Sequence, residues 1–252
     1  MKTVWRTCVS ICIFILAWEF LARAQFVPPS LFPAPSRVFL AFVDLGLSGQ
    51  LSLDIQASLW RALLGFLLGG TFGIAVGLVT GRFRFANAYL SPIIQLFRPL
   101  PPVAIIPLVI VWFGIGEISK VFSIAFAVFF PVWINTHLGV LEIPQSFLWS
   151  AKTYGVSRFT ILWKIILPAA LPFVVAGLRN GIAIAFVMVY VSELAGASVG
   201  IGYQISVSFL AYRVDQMIAA LALLGFCGAM ADVLLTRLFW HLFPWIRFQR
   251  KK

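Results

Sequence analysis

Arg98 and Arg179 are the two cations of this 252-residue chain that fall well inside long apolar runs. A guanidinium does not lose its proton, and a charge at the centre of a spanning helix costs about 2.5–3.5 kcal/mol on insertion scales. Each therefore needs a carboxylate, a set of bare carbonyls, or a wet cavity. Arg98 and Asp232 both lie about nine residues from the nearer end of their runs, roughly 13 Å deep at 1.5 Å per residue. That matched depth predicts an Arg98–Asp232 ion pair. Arg179 lies about 14 residues past Ile165, roughly 21 Å in, and Glu193 is as far again along the same run. Two readings stay open for Arg179, which sits beside Asn180: it attracts an anion through a pathway, or it binds carbonyls freed elsewhere.

Freed carbonyls are expected where prolines crowd. The run that holds Arg98 contains Pro92, Pro99, Pro101, Pro102 and Pro107. Each removes an N–H and obstructs a preceding carbonyl. Such backbone is not tolerated against lipid, so "FRPLPPVAIIP" should face protein or a pathway. A different chemistry is written at 151–172, "AKTYGVSRFTILWKIILPAALP". Lys152, Arg158 and Lys164 surround Gly155, and two prolines follow. Gly155 permits a positive-φ helix stop, so residues 145–154 should form a short helix.

Other chemistry is missing. No GxxxxGK[ST] phosphate loop, no GxSxG elbow and no Ser/His/Asp set occurs. His137 and His241 stand far apart, with no metal-ligand spacing around them, and read as membrane-interface residues. An enzyme is not expected. Cys8, Cys12 and Cys227 read as small packing residues rather than a disulfide pair.

The elements that must position these residues are hydrophobic. The chain is 62% hydrophobic and 11% charged, too few charges for a water-exposed surface, so an all-α, multi-pass membrane protein is expected. Its net charge of +11 would suggest nucleic acid in a soluble protein, but here position matters more than the sum, and no nucleic-acid partner is expected. Six runs are long enough to span: 4–22, 57–81, 89–113, 118–140, 164–191 and 215–240. With the N-terminus inside, twelve of the 19 Lys and Arg fall on the cytoplasmic side and five outside, which places both termini in the cytoplasm. The first run resembles a signal peptide, with Ala22-Arg23-Ala24 as a cleavage site, but Trp18 and Glu19 sit badly before such a site, and a retained span is expected.

Between the spans, 24–50 holds a Pro-rich outer connector and a short amphipathic helix for the interface, built on Val38, Phe39, Phe42, Val43 and Leu45. The outer segment 194–214 contains "GASVGIGYQ" and is expected to be a flexible loop near the pathway mouth. In the second span Gly65, Gly69, Gly73, Gly77 and Gly81 recur every fourth residue. This row lets a neighbouring helix reach backbone contact, either as static packing or as a sliding surface.

The stretch "WSAKTYGVSRFTILWKIILP" resembles the cytoplasmic signature loop of binding-protein-dependent ABC importer permeases. The family pattern is Glu-Ala-Ala, three residues, Gly, nine residues, Ile, any residue, Leu-Pro. Gly155, Ile165, Leu167 and Pro168 match it, as does Ala151; Ser150 replaces the first alanine and Trp149 the glutamate. "SLWRALLGFLLGG", "RPLPPVAIIPLVIVWFGIGEISKVF", "FFPVWINTHLGV" and "GIGY" extend the resemblance over nearly the whole chain. They look like the branch that handles nitrate, sulfonates, taurine and bicarbonate, and most like alkanesulfonate and taurine permeases.

The resemblance implies a type I importer permease fold of six spans. It implies a single permease domain, 1–252: the first span, connector and interfacial helix (1–56), a five-span core (57–240) and a cytoplasmic coupling loop (142–164). Trp149, Ser150, Ala151, Lys152, Tyr154, Gly155 and Arg158 would meet the ATPase. Arg98, Pro99, Pro101, Pro102, Arg179 and Asn180 would line the pathway. The implied partners are two ABC ATPase subunits that bind ATP and Mg, a second permease copy, an extracytoplasmic binding protein, and the lipids of a bacterial inner membrane. This chain itself would bind no cofactor. ATP would close the ATPase pair, carry the coupling helices with it and tilt spans three to five. The alternative is a self-sufficient secondary transporter or channel, but neither a convincing internal repeat nor an acid pair at one depth supports it.

Overall fold

The computed structural model describes residues 2–245, and the side chains of all but 2–4, 152 and 158 among them. The described residues form α1 (Lys2–Arg23), α2 (Pro35–Leu47), α3 (Gln50–Arg82), α4 (Arg84–Phe97), α5 (Ile106–Phe113), α6 (Glu117–Leu141), α7 (Gln145–Thr153), α8 (Arg158–Ile161), α9 (Leu167–Leu194), α10 (Ile201–Leu210) and α11 (Val214–Leu242). A 3-10 turn, Pro102–Ile105, precedes α5, and a π-turn, Leu162–Ile166, precedes α9.

Five helical stretches are long and apolar enough to cross a membrane, and α4 with the Pro102–Phe113 segment makes a sixth candidate bent by 85°. The bend falls on Arg98-Pro99-Leu100-Pro101, where the prolines withhold the donors a continuous helix would use. The third span is therefore broken, as its prolines lead one to expect. Residue contacts divide the chain into two compact units, one of the residues up to Ser58 with Ala197–Phe226, the other of Leu59–Gly196 with the residues from Cys227 onward.

In the second unit α6 is the core. Ile124, Val128, Val132 and Trp133 have no solvent-exposed surface. The glycine row of α3 lies against α6. A Cβ on Gly65 would come within 2.5 Å of the Ile124 side chain, one on Gly73 within 2.8 Å of Val132, one on Gly77 within 2.6 Å of Thr136 and one on Gly81 within 2.6 Å of Val140. On Gly69 it would run into the backbone of Ala125. These partners advance in step, so α3 and α6 run parallel, and the α4–α5 pair between them returns the chain across the bilayer as one traversal. Helix α9 meets α6 in the opposite order, with Phe173 over Gly139, Gly177 at Asn135 and Gly181 at Val128. In this core backbones meet where side chains vanish, the way helices pack in lipid without a hydrophobic drive between them.

In the first unit Glu19 ties α1 to α2. Its carboxylate accepts from the Ser36 N–H at 3.1 Å, the Ser36 hydroxyl at 2.9 Å and Arg23 Nε at 2.6 Å. One orphan backbone donor at the start of α2 is thus capped from another helix. The same device shapes 194–214. Asp54 Oδ1 accepts from the Gly200 N–H and Ser58 Oγ from the Ile201 N–H, both at 2.8 Å. The segment expected to be a flexible loop is helical from Ile201 to Leu210. Gly196 and Gly200 serve the approach, with φ of +154° and +141°, and Gly202 lies within the helix. Cys8 and Cys12 are exposed on α1 rather than packed.

Candidate functional site

The signature stretch folds as a capped helix and a restart. Helix α7 stops at Gly155, whose φ is +68°. The Val156 N–H reaches the Ala151 carbonyl at 3.1 Å, the long closing bond of a Schellman motif with Gly155 in its left-handed position. Val156 packs against the cluster of Leu78, Val140, Ile143, Ala151, Ile161, Ile166 and Ala170. Ser157 then caps α8 through its Oγ, which accepts the Thr160 N–H at 3.2 Å. The π-turn runs into Leu167 and Pro168, where the chain re-enters a spanning helix. The nine residues after Gly155 therefore hold a cap, a new N-terminus and a π-turn.

Orientation sorts the coupling residues. Ala151 is 7% exposed and turned into the chain's own core, so its smallness serves internal packing, not approach to an ATPase. Trp149 and Tyr154 are 65% and 85% exposed, and Ser150 is exposed with them. Phe147 and Phe159 also protrude, and composition alone gave no sign of it. The side chains of Lys152 and Arg158 lie outside those described. These large aromatic rings on one polar loop are left uncovered by the described residues.

Inside the bundle the expected Arg98–Asp232 pair is absent. Asp232 of α11 instead takes a bidentate pair from Arg179 of α9, Nε and NH2 each at 2.7 Å. Depth counted along the run misplaces Arg98, which sits at the corner of the bend and not within a continuous helix. Arg98 caps α4 at the corner of the bend, where its side chain is exposed and has no carboxylate partner among the described residues. Pro99 and Pro101 share that exposed corner, and Pro102 is half-buried behind it. Asn180 is exposed on α9 next to the paired Arg179. Arg179 is thus neutralised by Asp232, and Arg98 stands without a carboxylate among the described residues.

An ionic cluster that sequence reading missed joins three helices. Arg61 of α3 grips Glu117 of α6 with two hydrogen bonds, Nε to Oε2 at 2.6 Å and NH2 to Oε1 at 2.7 Å. Its third nitrogen donates to Glu193 of α9 at 2.7 Å. Lys120 adds a bond to Glu117 at 3.1 Å. Arg61, Lys120 and Glu193 are all buried. Two cations and two carboxylates cancel, so the cluster is a clasp rather than a site for a charged ligand. Its signal was topological: the start of the second span, the start of the fourth and the end of the fifth share one face. His137 also departs from expectation. It is buried, stacked on Trp133 and 3.0 Å from Thr80 Oγ1. The Thr80 hydroxyl donates to the Val76 carbonyl and accepts from Trp133 Nε1, so the His137 Nδ1 donates to it. It belongs to the α3–α6 seam, not the membrane interface. Among the described residues no group of three His, Cys, Asp or Glu is placed to hold a metal.

A helical bundle with a broken span and glycine-seated helix contacts has the build of a multi-pass membrane protein. The chain belongs to the family of binding-protein-dependent transport system inner membrane components, whose model matches residues 69–248. It is 34% identical over 233 residues to the aliphatic sulfonates transport permease protein SsuC of Bacillus subtilis (strain 168), covering 92% of this chain and 84% of that one. It is 32% identical over 241 residues to the taurine transport system permease protein TauC of Escherichia coli (strain K12), covering 94% and 88%. Among solved structures, a chain of the inward-facing MetNI methionine ABC transporter matches its fold with a TM-score of 0.60 at 22% identity, over 78% of this chain and 97% of the other. The protein is therefore a non-catalytic, multi-pass permease subunit of a binding-protein-dependent ABC importer in the inner membrane. Membership sets aside a self-sufficient transporter or channel, and implies an ATPase and a binding protein as partners.

Proposed function

We propose that this permease admits a small anion of the sulfonate type to the cytoplasm. The observation that carries this reading is the identity of 32–34% with permeases named for taurine and aliphatic sulfonates, spread over more than nine-tenths of the chain. Two identical permeases form the pathway, and ATP and Mg act on partner ATPase subunits. An extracytoplasmic binding protein delivers the anion. Trp149, Ser150, Tyr154 and Gly155 present the coupling loop to the ATPase. Arg98, at the proline corner, supplies the positive potential that draws the anion, since the charge of Arg179 is cancelled by Asp232. Pro99, Pro101 and Pro102 hold that corner open, and Asn180 offers a neutral polar contact.

The test is uptake by the complete complex in proteoliposomes, with taurine, a short alkanesulfonate and methionine as solutes. Sulfonates should accumulate and compete with one another, and methionine should not. Arg98→Gln should lower sulfonate uptake about tenfold, equivalent to about 1.4 kcal/mol, and leave basal ATP hydrolysis unchanged. Methionine uptake without sulfonate uptake would remove the anion reading, and full uptake by the variant would remove Arg98 from it.

A further inference from the structure

We propose that the groove among α1, α2 and the outer half of α11 seats one phospholipid of the surrounding bilayer, its acyl chain in the groove and its phosphodiester on the arginines at the rim.

The groove has a volume of about 520 Å³ and is walled by side chains such as Ile15, Val38, Phe42, Leu223 and Phe226. Trp18 is the one lining residue with a polar atom. Its indole N–H is buried and has no acceptor among the described residues. Helix α1 turns nearly all of its surface outward, so this chain leaves the open side of the groove uncovered.

The rim gives the occupant its chemistry. Arg23 lies five residues beyond Trp18 on α1, Arg213 lies five before Ile218 of α11, and Arg37 adjoins Val38 of α2. Five helical residues rise about 7.5 Å, so the guanidinium groups stand just above the apolar walls. The Arg23 and Arg213 side chains are 72% and 50% exposed, and Arg37 is exposed too. Glu19 and Asp215 pair with two of them. Three cations against two carboxylates leave one positive charge, which a single phosphodiester balances. Asp44, seven residues past Arg37 on α2, lies about 10 Å further along. The outer side of the chain is poor in cations, yet three of its five, by the charge-bias topology, lie within five residues in sequence of a residue that lines the groove. Guanidinium groups bind phosphate oxygens in forked, charge-assisted pairs, so an anionic lipid such as phosphatidylglycerol is favoured over phosphatidylethanolamine.

The test is native mass spectrometry of the intact complex, released from mild detergent, with lipid extraction in parallel. One phospholipid should remain per permease chain, enriched in phosphatidylglycerol. Ala222→Trp fills the groove and should remove it. The triple change Arg23→Gln, Arg37→Gln, Arg213→Gln should reduce its retention at least fivefold. In nanodiscs of phosphatidylglycerol brominated on the acyl chains, Trp18→Phe should reduce the quenched fraction of fluorescence, a readout that does not depend on how the filled variant folds. Retention unaffected by the triple change, or quenching unaffected by Trp18→Phe, would overturn the proposal. So would a photo-crosslinker at position 222 that captures a neighbouring copy of the chain in place of lipid.

Discussion

At the scale of single residues, the pairing of Arg179 with Asp232 is the most testable contact. Both atoms of the fork are 2.7 Å from their acceptors, in the middle of spanning helices. Removing one partner strands the other charge, at about 2.5–3.5 kcal/mol on insertion scales. Arg179→Gln or Asp232→Asn alone should therefore lower the yield of folded complex and its melting temperature, and the double change should recover much of both. Size-exclusion profiles with a thermal-shift assay would show it; equal losses in the single and double variants would leave the pair without a structural role. Sequence reading had found the acid and misassigned its cation. Depth counted along a chain treats every span as straight and every end as level with the surface. The break after Phe97 violates the first of these assumptions. Gly155 was legible because the positive φ it needs is a local property that one residue reports.

At the scale of elements, the glycine row decides whether the core forms. A Cβ on Gly69 meets Ala125 backbone, which cannot rotate away. Gly69→Val should abolish folded complex, whereas Gly225→Ala, with nothing within 4 Å of its Cβ, should be neutral or raise stability by up to about 1 kcal/mol through helix propensity. Membrane-fraction yield and thermal stability of the two variants would separate them; a well-folded Gly69→Val would mean that α3 and α6 are not in contact along this row. The four-residue spacing made the row visible in the sequence, but not its partner, because periodicity on one helix does not name the helix opposite. Helix α10 was hidden for a related reason. Its caps, Asp54 and Ser58, lie over 140 residues away in sequence, and cap rules read only neighbours. The break in the third span was legible outright, since each proline carries its own prohibition.

At the scale of the whole molecule, two features divide the work. The clasp of Arg61, Glu117, Lys120 and Glu193 holds α3, α6 and α9 together at one end. Gly155 and the exposed aromatic rings of α7 project from the other. Hydropathy and the positive-charge bias made the number and direction of the spans legible, since both follow from transfer into lipid. The clasp was not legible, because three helix ends meet only once the bundle is built.

The proposed route by which ATP hydrolysis drives this permease is the loop capped at Gly155. The measurement that tests it most directly compares ATP hydrolysis and solute uptake in the reconstituted complex carrying Gly155→Val. A Cβ at Gly155 has open space around it, so the variant bears only the strain of a positive φ, about 1–2 kcal/mol, and should assemble. The account predicts that loaded binding protein no longer stimulates hydrolysis and that uptake falls at least tenfold while the complex stays intact. Full stimulation with full uptake would contradict it.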